Sequence, residues 1–99
     1  MKKRSVTAMV DLKGRPGKCE GSPAGGEKFG QEFYTTTAEM AGMLRCLADE
    51  IEAGGRVEAS TADWTLAASP REPLKLEVQY KPNPAKREIE FQIKLKENP

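Results

Sequence analysis

The sequence predicts an α+β fold, in which one amphipathic α-helix packs on an antiparallel β-sheet of about four to six strands. Two observations lead to this prediction. One segment near the middle of the chain spaces its apolar residues at helical intervals and carries both a start and a stop signal. Most of the segments that follow it alternate apolar and polar residues, as half-buried strands do.

Residues 1–28 are predicted to contain one strand and a basic loop rich in Gly and Pro. The segment RSVTAMVDL alternates, and four residues share its apolar face: Val6, Ala8, Val10 and Leu12. The next 16 residues, KGRPGKCEGSPAGGEK, include five Gly and two Pro, so we expect no regular element in 13–28. KFGQEFYT is expected to form a short strand that leads into the helix.

The helix is predicted within TTTAEMAGMLRCLADEIEAGG, residues 35–55. Thr36 and Glu39 have the spacing of a capping box, in which each side chain accepts a hydrogen bond from the backbone amide of the other residue. Gly54 and Gly55 supply the positive φ that ends many helices. Five residues form one apolar stripe: Met40, Met43, Leu44, Leu47 and Ile51.

After the helix the apolar residues recur at every second position. RVEAS and DWTLAAS predict short strands, whereas PLKLEVQYK and REIEFQIKLKE are the clearest strand patterns in the chain. KPNPAK joins these two, which predicts an antiparallel hairpin. One face of the hairpin is apolar: Leu74, Leu76, Val78, Tyr80, Ile89, Phe91, Ile93 and Leu95.

We expect the helix stripe to cover the apolar face of this sheet. The stripe and the apolar residues of the hairpin other than Tyr80 give twelve core candidates. Burial of each contributes roughly 1.5–3 kcal/mol, whereas ordering the backbone costs about 1–2 kcal/mol per residue. Because twelve residues make a thin core, either the N-terminal strands add to it or a second copy covers the rest.

The helix also carries a sequence pattern. It reads E-x-A-x-x-L-R-x-L-A-D-x-I-x-x-G, matched by Glu39, Ala41, Leu44, Arg45, Leu47, Ala48, Asp49, Ile51 and Gly54. With the strands around it, this pattern resembles the amphi-Trp domain family over residues 29–96, so we expect residues 1–28 to precede that domain. The resemblance implies a strand, a helix and three further strands, and it implies no activity. The chain departs from the family where KLKENP has no aromatic residue at the end of the last strand.

The composition argues against catalysis and metal binding. There is no His, which removes the commonest general base and the usual ligand of zinc sites. Cys19 falls in the predicted loop, and Cys46 is predicted on the polar side of the helix among acidic residues, where a thiol is not activated. We expect two reduced thiols in place of a disulfide, and neither an enzyme, a metal site nor a cofactor.

The helix acids do not have the spacing of an EF-hand loop. They are predicted to line a solvated helix face: Glu39, Asp49, Glu50 and Glu52.

Charge is placed unevenly along the chain. The net charge is +1, but residues 1–28 hold seven Lys and Arg against three acids, whereas residues 29–99 hold nine against twelve. A basic arm of this kind can contact phosphates, so nucleic-acid binding is the alternative function. Its candidate contacts are Lys2, Lys3, Arg4, Lys13, Arg15 and Lys18.

The favoured hypothesis is a non-enzymatic protein-interaction or assembly module that associates with itself, for example as a homodimer. Trp64 and Tyr80 are its candidate interaction residues. Trp64 allows two interpretations, a core residue or an exposed anchor beside Ala67 and Ala68, because Trp is favoured at interfaces. No apolar run is long enough to form a secretory leader or to span a membrane, so we expect the protein in the cytoplasm.

Overall fold

The computed structural model describes residues 9–99, and within them the chain forms one helix and seven strands. The elements in chain order are β1 (Val10–Asp11), β2 (Arg15–Glu20), β3 (Gly30–Tyr34), α1 (Thr37–Ala53), β4 (Val57–Ser60), β5 (Thr65–Ala68), β6 (Lys75–Lys81) and β7 (Glu88–Lys94). The predicted α+β class is confirmed. The strands divide into a three-stranded sheet of order β1-β4-β5 and two two-stranded sheets, β2-β3 and β6-β7.

The chain separates into two compact units, one ending at Ala67 and the other spanning Ala68–Pro99. We call them the N-terminal unit and the C-terminal unit.

Helix α1 begins and ends where its sequence signals predict. The Thr36 hydroxyl accepts from the Glu39 amide at 3.1 Å, and the Glu39 carboxylate accepts from the Thr36 amide at 3.0 Å. These two bonds satisfy amides that the first helical turn leaves without partners. At the other end Gly54 adopts φ 77° and its amide donates to the Ile51 carbonyl.

Strands β1 and β4 run parallel, with Val10 opposite Ala59 and Asp11 opposite Ser60. A parallel pair needs a long crossover, which α1 supplies by packing against both strands. Val10, only 5% exposed, is the one buried apolar side chain among residues 9–99. The predicted strand RSVTAMVDL is thus observed at Val10–Asp11, and its residues Val6 and Ala8 lie outside the described part of the chain.

The face of α1 that packs overlaps the predicted stripe only in part, since Met43, Leu47 and Ile51 of that stripe are half-buried. Met40 and Leu44, predicted as core residues, are 46% and 49% exposed. Cys46 was placed on the polar side, but it is half-buried and its Sγ donates to the Met9 carbonyl at 3.3 Å. The packed face is therefore rotated towards Cys46 and away from Met40 and Leu44.

Glu50 also differs from its predicted position on the helix. It was predicted to face solvent, but it is only 5% exposed. Glu50 follows Cys46 by one helical turn, so it lies on the packed face. Its Oε1 accepts from the Glu58 amide at 2.9 Å, and this bond at the start of β4 offsets the cost of burying a carboxylate.

The prediction of no regular element in 13–28 is wrong, because β2 lies within it and pairs antiparallel with β3. The register shifts between Pro16 and Cys19, which marks a β-bulge. β2 pairs with β3 alone in its sheet, and an edge strand tolerates a proline. A Cβ at Gly17 would lie 2.6 Å from the exposed Tyr34 ring, so a larger residue here would displace that ring.

The strands predicted in KFGQEFYT, RVEAS and DWTLAAS are confirmed as β3, β4 and β5. Between β4 and β5 the chain turns tightly. The Thr61 amide donates to the Trp64 carbonyl at 2.8 Å, and the Thr61 hydroxyl accepts from the Asp63 amide at 3.0 Å.

The predicted hairpin of the C-terminal unit is confirmed, with β6 and β7 antiparallel and in continuous register from Lys75–Lys94 to Lys81–Glu88. Its apolar residues were predicted to be core, and for most of them this is wrong. Leu95 is half-buried, whereas the other six core candidates are exposed: Leu74, Leu76, Val78, Ile89, Phe91 and Ile93. Alternation along a strand predicts which face is apolar, but not whether that face is covered.

Replacing the helix cap tests the contribution of the capping box. Thr36→Ala is expected to lower the free energy of unfolding of the N-terminal unit by about 1 kcal/mol, because the Glu39 amide loses its acceptor. Thr37→Ala, one residue into the helix, is the control and should change stability little. Urea unfolding followed by Trp64 fluorescence measures the free energy of unfolding of both variants. An equal decrease in the two would contradict a specific contribution of the capping hydrogen bond.

Candidate functional site

The strongest candidate site is the apolar side of the β6-β7 hairpin. Three cross-strand pairs lie on this side, Leu76 with Ile93, Val78 with Phe91 and Tyr80 with Ile89. We call these six residues the hairpin face. Strict alternation in both strands places them together, since side chains two residues apart share a face and opposed residues are neighbours across the ladder.

Every member of the hairpin face is exposed, from 43% at Ile93 to 62% at Phe91. Two of the six are aromatic, so the face is large as well as apolar. Contiguous exposed apolar patches of this kind mark interaction sites in soluble proteins.

The opposite side of the hairpin is polar. Glu77 forms ion pairs with Lys75 at 3.6 Å and with Lys94 at 3.9 Å, and so offsets the repulsion between two lysines that face each other across the strands. These pairs are exposed and contribute little stability. They give charged residues on the polar side partners of opposite sign within the hairpin.

Hydrogen bonds hold the base of the hairpin. The Ser69 amide donates to the Glu97 carboxylate at 2.7 Å, and the Arg71 amide donates to the Lys96 carbonyl at 2.9 Å. The Asn98 side chain donates to the Arg71 carbonyl at 2.8 Å. At the far end the Lys86 amide donates to the Asn83 carbonyl. A face held at both ends loses less conformational freedom on binding.

Of the predicted interaction residues, Tyr80 lies in the hairpin face and Trp64 lies in the N-terminal unit. The Trp64 ring is half-buried, with the Phe29 ring edge-on at 5.3 Å and the Phe33 ring at 6.4 Å. Its indole N–H donates to the Gln31 side-chain oxygen at 3.1 Å. Trp64 therefore links β3 to the start of β5, and its role in an interaction stays a prediction.

The other five residues of the hairpin face were predicted only as core. Their period-two pattern was visible in the sequence, but the same pattern occurs in strands whose apolar face is covered.

The basic arm is described only in part. Lys2, Lys3 and Arg4 lie outside the described residues. The other three side chains have neighbours: Lys13 pairs with Asp11 at 3.2 Å, Lys18 pairs with Glu20 at 3.4 Å, and Arg15 lies 4.8 Å from the centre of the Tyr34 ring. Each of these three cations therefore has an acidic side chain or an aromatic ring beside it.

A cleft of about 440 Å³ lies between α1 and β1. Its lining includes Met9, Met43 and Cys46, and the Lys13 amide donates to the Met43 sulfur at 3.3 Å. Cys19 is exposed on β2 and forms no disulfide within the described chain.

Within residues 9–99, no cluster of three His, Cys, Asp or Glu side chains has the geometry of a metal site. The helix found in this range is too short and too polar to cross a membrane.

Comparison with known proteins gives one match. Residues 25–98, which are 74 of the 99 residues, match the sequence profile of the Amphi-Trp domain family. No curated protein and no solved structure matches the chain significantly.

Removing the acceptor of the indole tests how Trp64 is held. Gln31→Ala is expected to destabilise the N-terminal unit by about 0.5–1.5 kcal/mol and to shift Trp64 emission to longer wavelength, because the half-buried indole N–H loses its partner. Since Trp64 is the only Trp, its fluorescence during urea unfolding reports both changes. Gln92→Ala, an exposed glutamine on β7, is the matched control. An unchanged spectrum in Gln31→Ala would contradict the assigned hydrogen bond.

Proposed function

We propose that the chain, which belongs to the Amphi-Trp domain family, is a non-enzymatic protein-interaction module. It acts in the cytoplasm and associates with itself through the hairpin face. The observation that carries this proposal is the exposure of all six side chains of that face, on a hairpin whose polar side forms its own ion pairs.

The physical reason is the cost of leaving such a face in water. Burying an apolar side chain stabilises the buried state by roughly 25 cal/mol per Å² of surface removed from water. An isolated two-stranded hairpin is marginally stable in water and needs packing on one face. A protein partner supplies that packing, and the polar side keeps the assembly in solution.

The non-enzymatic part of the proposal rests on the sequence. Without His, the chain lacks the side chain that most often transfers protons near neutral pH. The residues that the hairpin face contributes are aliphatic or aromatic, and only the Tyr80 hydroxyl among them is polar.

Nucleic-acid binding through the basic arm ranks second. Arg15, Lys13 and Lys18 are exposed, which supports it, but each cation has an acid or an aromatic ring beside it. Phosphate binding would have to compete with those contacts.

Charge placed on the hairpin face tests the favoured function. Phe91→Lys is expected to abolish self-association, because a buried unpaired ammonium is strongly unfavourable. Gln92→Lys is the matched control, since the neighbouring residue carries the same new charge on the polar side of β7. Light scattering on a size-exclusion column, across a concentration series, should show dimer formation by the wild type and the control and one chain for Phe91→Lys. A wild type that keeps the mass of one chain throughout would end the proposal.

Binding to a labelled oligonucleotide tests the second function. The favoured proposal expects no change in fluorescence anisotropy at low salt. Binding that weakens steeply as salt is added, and that is lost when Lys2, Lys3 and Arg4 are replaced by Ser, would establish the basic arm as a nucleic-acid contact instead.

A further inference from the structure

We infer that the occupant of the hairpin face is the same face of a second copy, related to the first by a two-fold axis. This arrangement depends on the proposed function and specifies it: the contact is isologous, so the assembly closes as a dimer.

The chemistry of the face selects its partner. The hairpin face contributes no charged side chain, so a partner surface must be apolar to avoid burying an unpaired charge. Outside the hairpin and the adjoining Leu74, the large apolar residues exposed in the described part of the chain are few and lie on separate elements: Met40 and Leu44 on α1, Tyr34 on β3 and Leu66 on β5. The hairpin face, with six such residues, is the one described surface large enough to cover another hairpin face.

The area agrees with a reversible dimer. Six side chains at roughly 60–100 Å² each give about 360–600 Å² per copy, or about 720–1,200 Å² for two copies. Stable specific interfaces bury about 1,200–2,000 Å² in total, and transient ones bury less. Pairing of two hairpin faces therefore approaches the lower limit of that range. We expect a dimer that dissociates on dilution.

The shape of the face is compatible with two-fold packing. An axis that runs between the strands and along them places β6 of one copy over β7 of the other. Val78, the smallest residue of the face, then lies against Phe91 of the second copy, and the reverse contact is identical. Two sheets stacked in this way are about 10 Å apart, with large and small side chains interdigitated.

The charges support the same arrangement. Lys75, Glu77 and Lys94 project from the opposite side of each hairpin, as the alternation of both strands requires. In a stack of two apolar faces all of them remain in solvent on the two outer surfaces. No ion pair has to be broken when the dimer forms.

Complementary charges at position 78 test the two-fold contact. Val78→Lys and Val78→Glu, each alone, are expected to dimerise on the order of 100-fold or more weakly than wild type, because each dimer would bury two like charges against apolar side chains, one on either side of the two-fold axis. An equimolar mixture should recover dimer, since a lysine and a glutamate together reach across a gap of about 10 Å. Gln79→Lys and Gln79→Glu carry the same charges on the polar side and should dimerise like wild type, alone and mixed.

Light scattering separates the outcomes. If wild type dimerises and the mixture forms dimers that neither variant forms alone, the isologous contact is established. If wild type dimerises and the mixture stays at one chain, the hairpin face binds a different surface of the second copy, and the inference fails while the proposed function stands. If wild type never dimerises, the proposed function itself fails.

A second measurement does not depend on the folding of the Val78 variants. A nitroxide at Gln92→Cys, in a chain with Cys19→Ser and Cys46→Ser, labels the outer surface of β7. Two stacked hairpins predict a single label-to-label distance of roughly 25 Å, from the sheet spacing of about 10 Å and two label side chains. Electron paramagnetic resonance at dimer-forming concentration measures this distance. A broad distribution, or no resolved label-to-label distance, would overturn the face-to-face arrangement.

Discussion

The parallel pairing of β1 with β4 is the constraint on which the N-terminal unit depends. Parallel neighbours cannot be joined by a tight turn, so the chain must travel back along the sheet before it enters β4. It does so through α1, which packs on both strands, and Val10 is buried at this junction. Glu50 adds a polar tie, since its carboxylate accepts the Glu58 amide at the start of β4. The β2-β3 hairpin forms a separate sheet, and the turn after β4 leads into β5.

The C-terminal unit follows a different rule. It contains no helix, and its order comes from a continuous antiparallel ladder and from hydrogen bonds between the chain end and residues Ser69 and Arg71. A ladder of this kind satisfies backbone groups but leaves one face of side chains without cover. The same alternation that makes the hairpin regular therefore produces the apolar surface that we assign to protein interaction. In the function that we propose, the strands that order the hairpin also carry the residues that bind, whereas many binding sites lie on loops of a rigid scaffold.

Several polar side chains of the N-terminal unit are buried or half-buried, and each of them forms a hydrogen bond there. The buried Glu50 carboxylate accepts a hydrogen bond from the Glu58 amide, and the half-buried Cys46 thiol donates one to the Met9 carbonyl. Trp64 is held by Gln31 and by the rings of Phe29 and Phe33. In each case the partners lie outside the helix or strand that carries the side chain. Such partners are invisible to the helical wheel and to strand alternation, which use local spacing alone.

Local signals determined much of this protein from its sequence. The cap at Thr36, the stop at Gly54, the α+β class and the β6-β7 hairpin all follow from interactions between residues close in the chain, and so does the set of residues that make up the hairpin face. The tertiary structure decided which surfaces are covered. In that structure Met40 and Leu44 of α1 are exposed, and so is the hairpin face. The Gly-rich segment contains β2 because it pairs with β3. The physical reason is that periodicity records the polarity of a face, whereas burial depends on contacts between residues far apart in sequence.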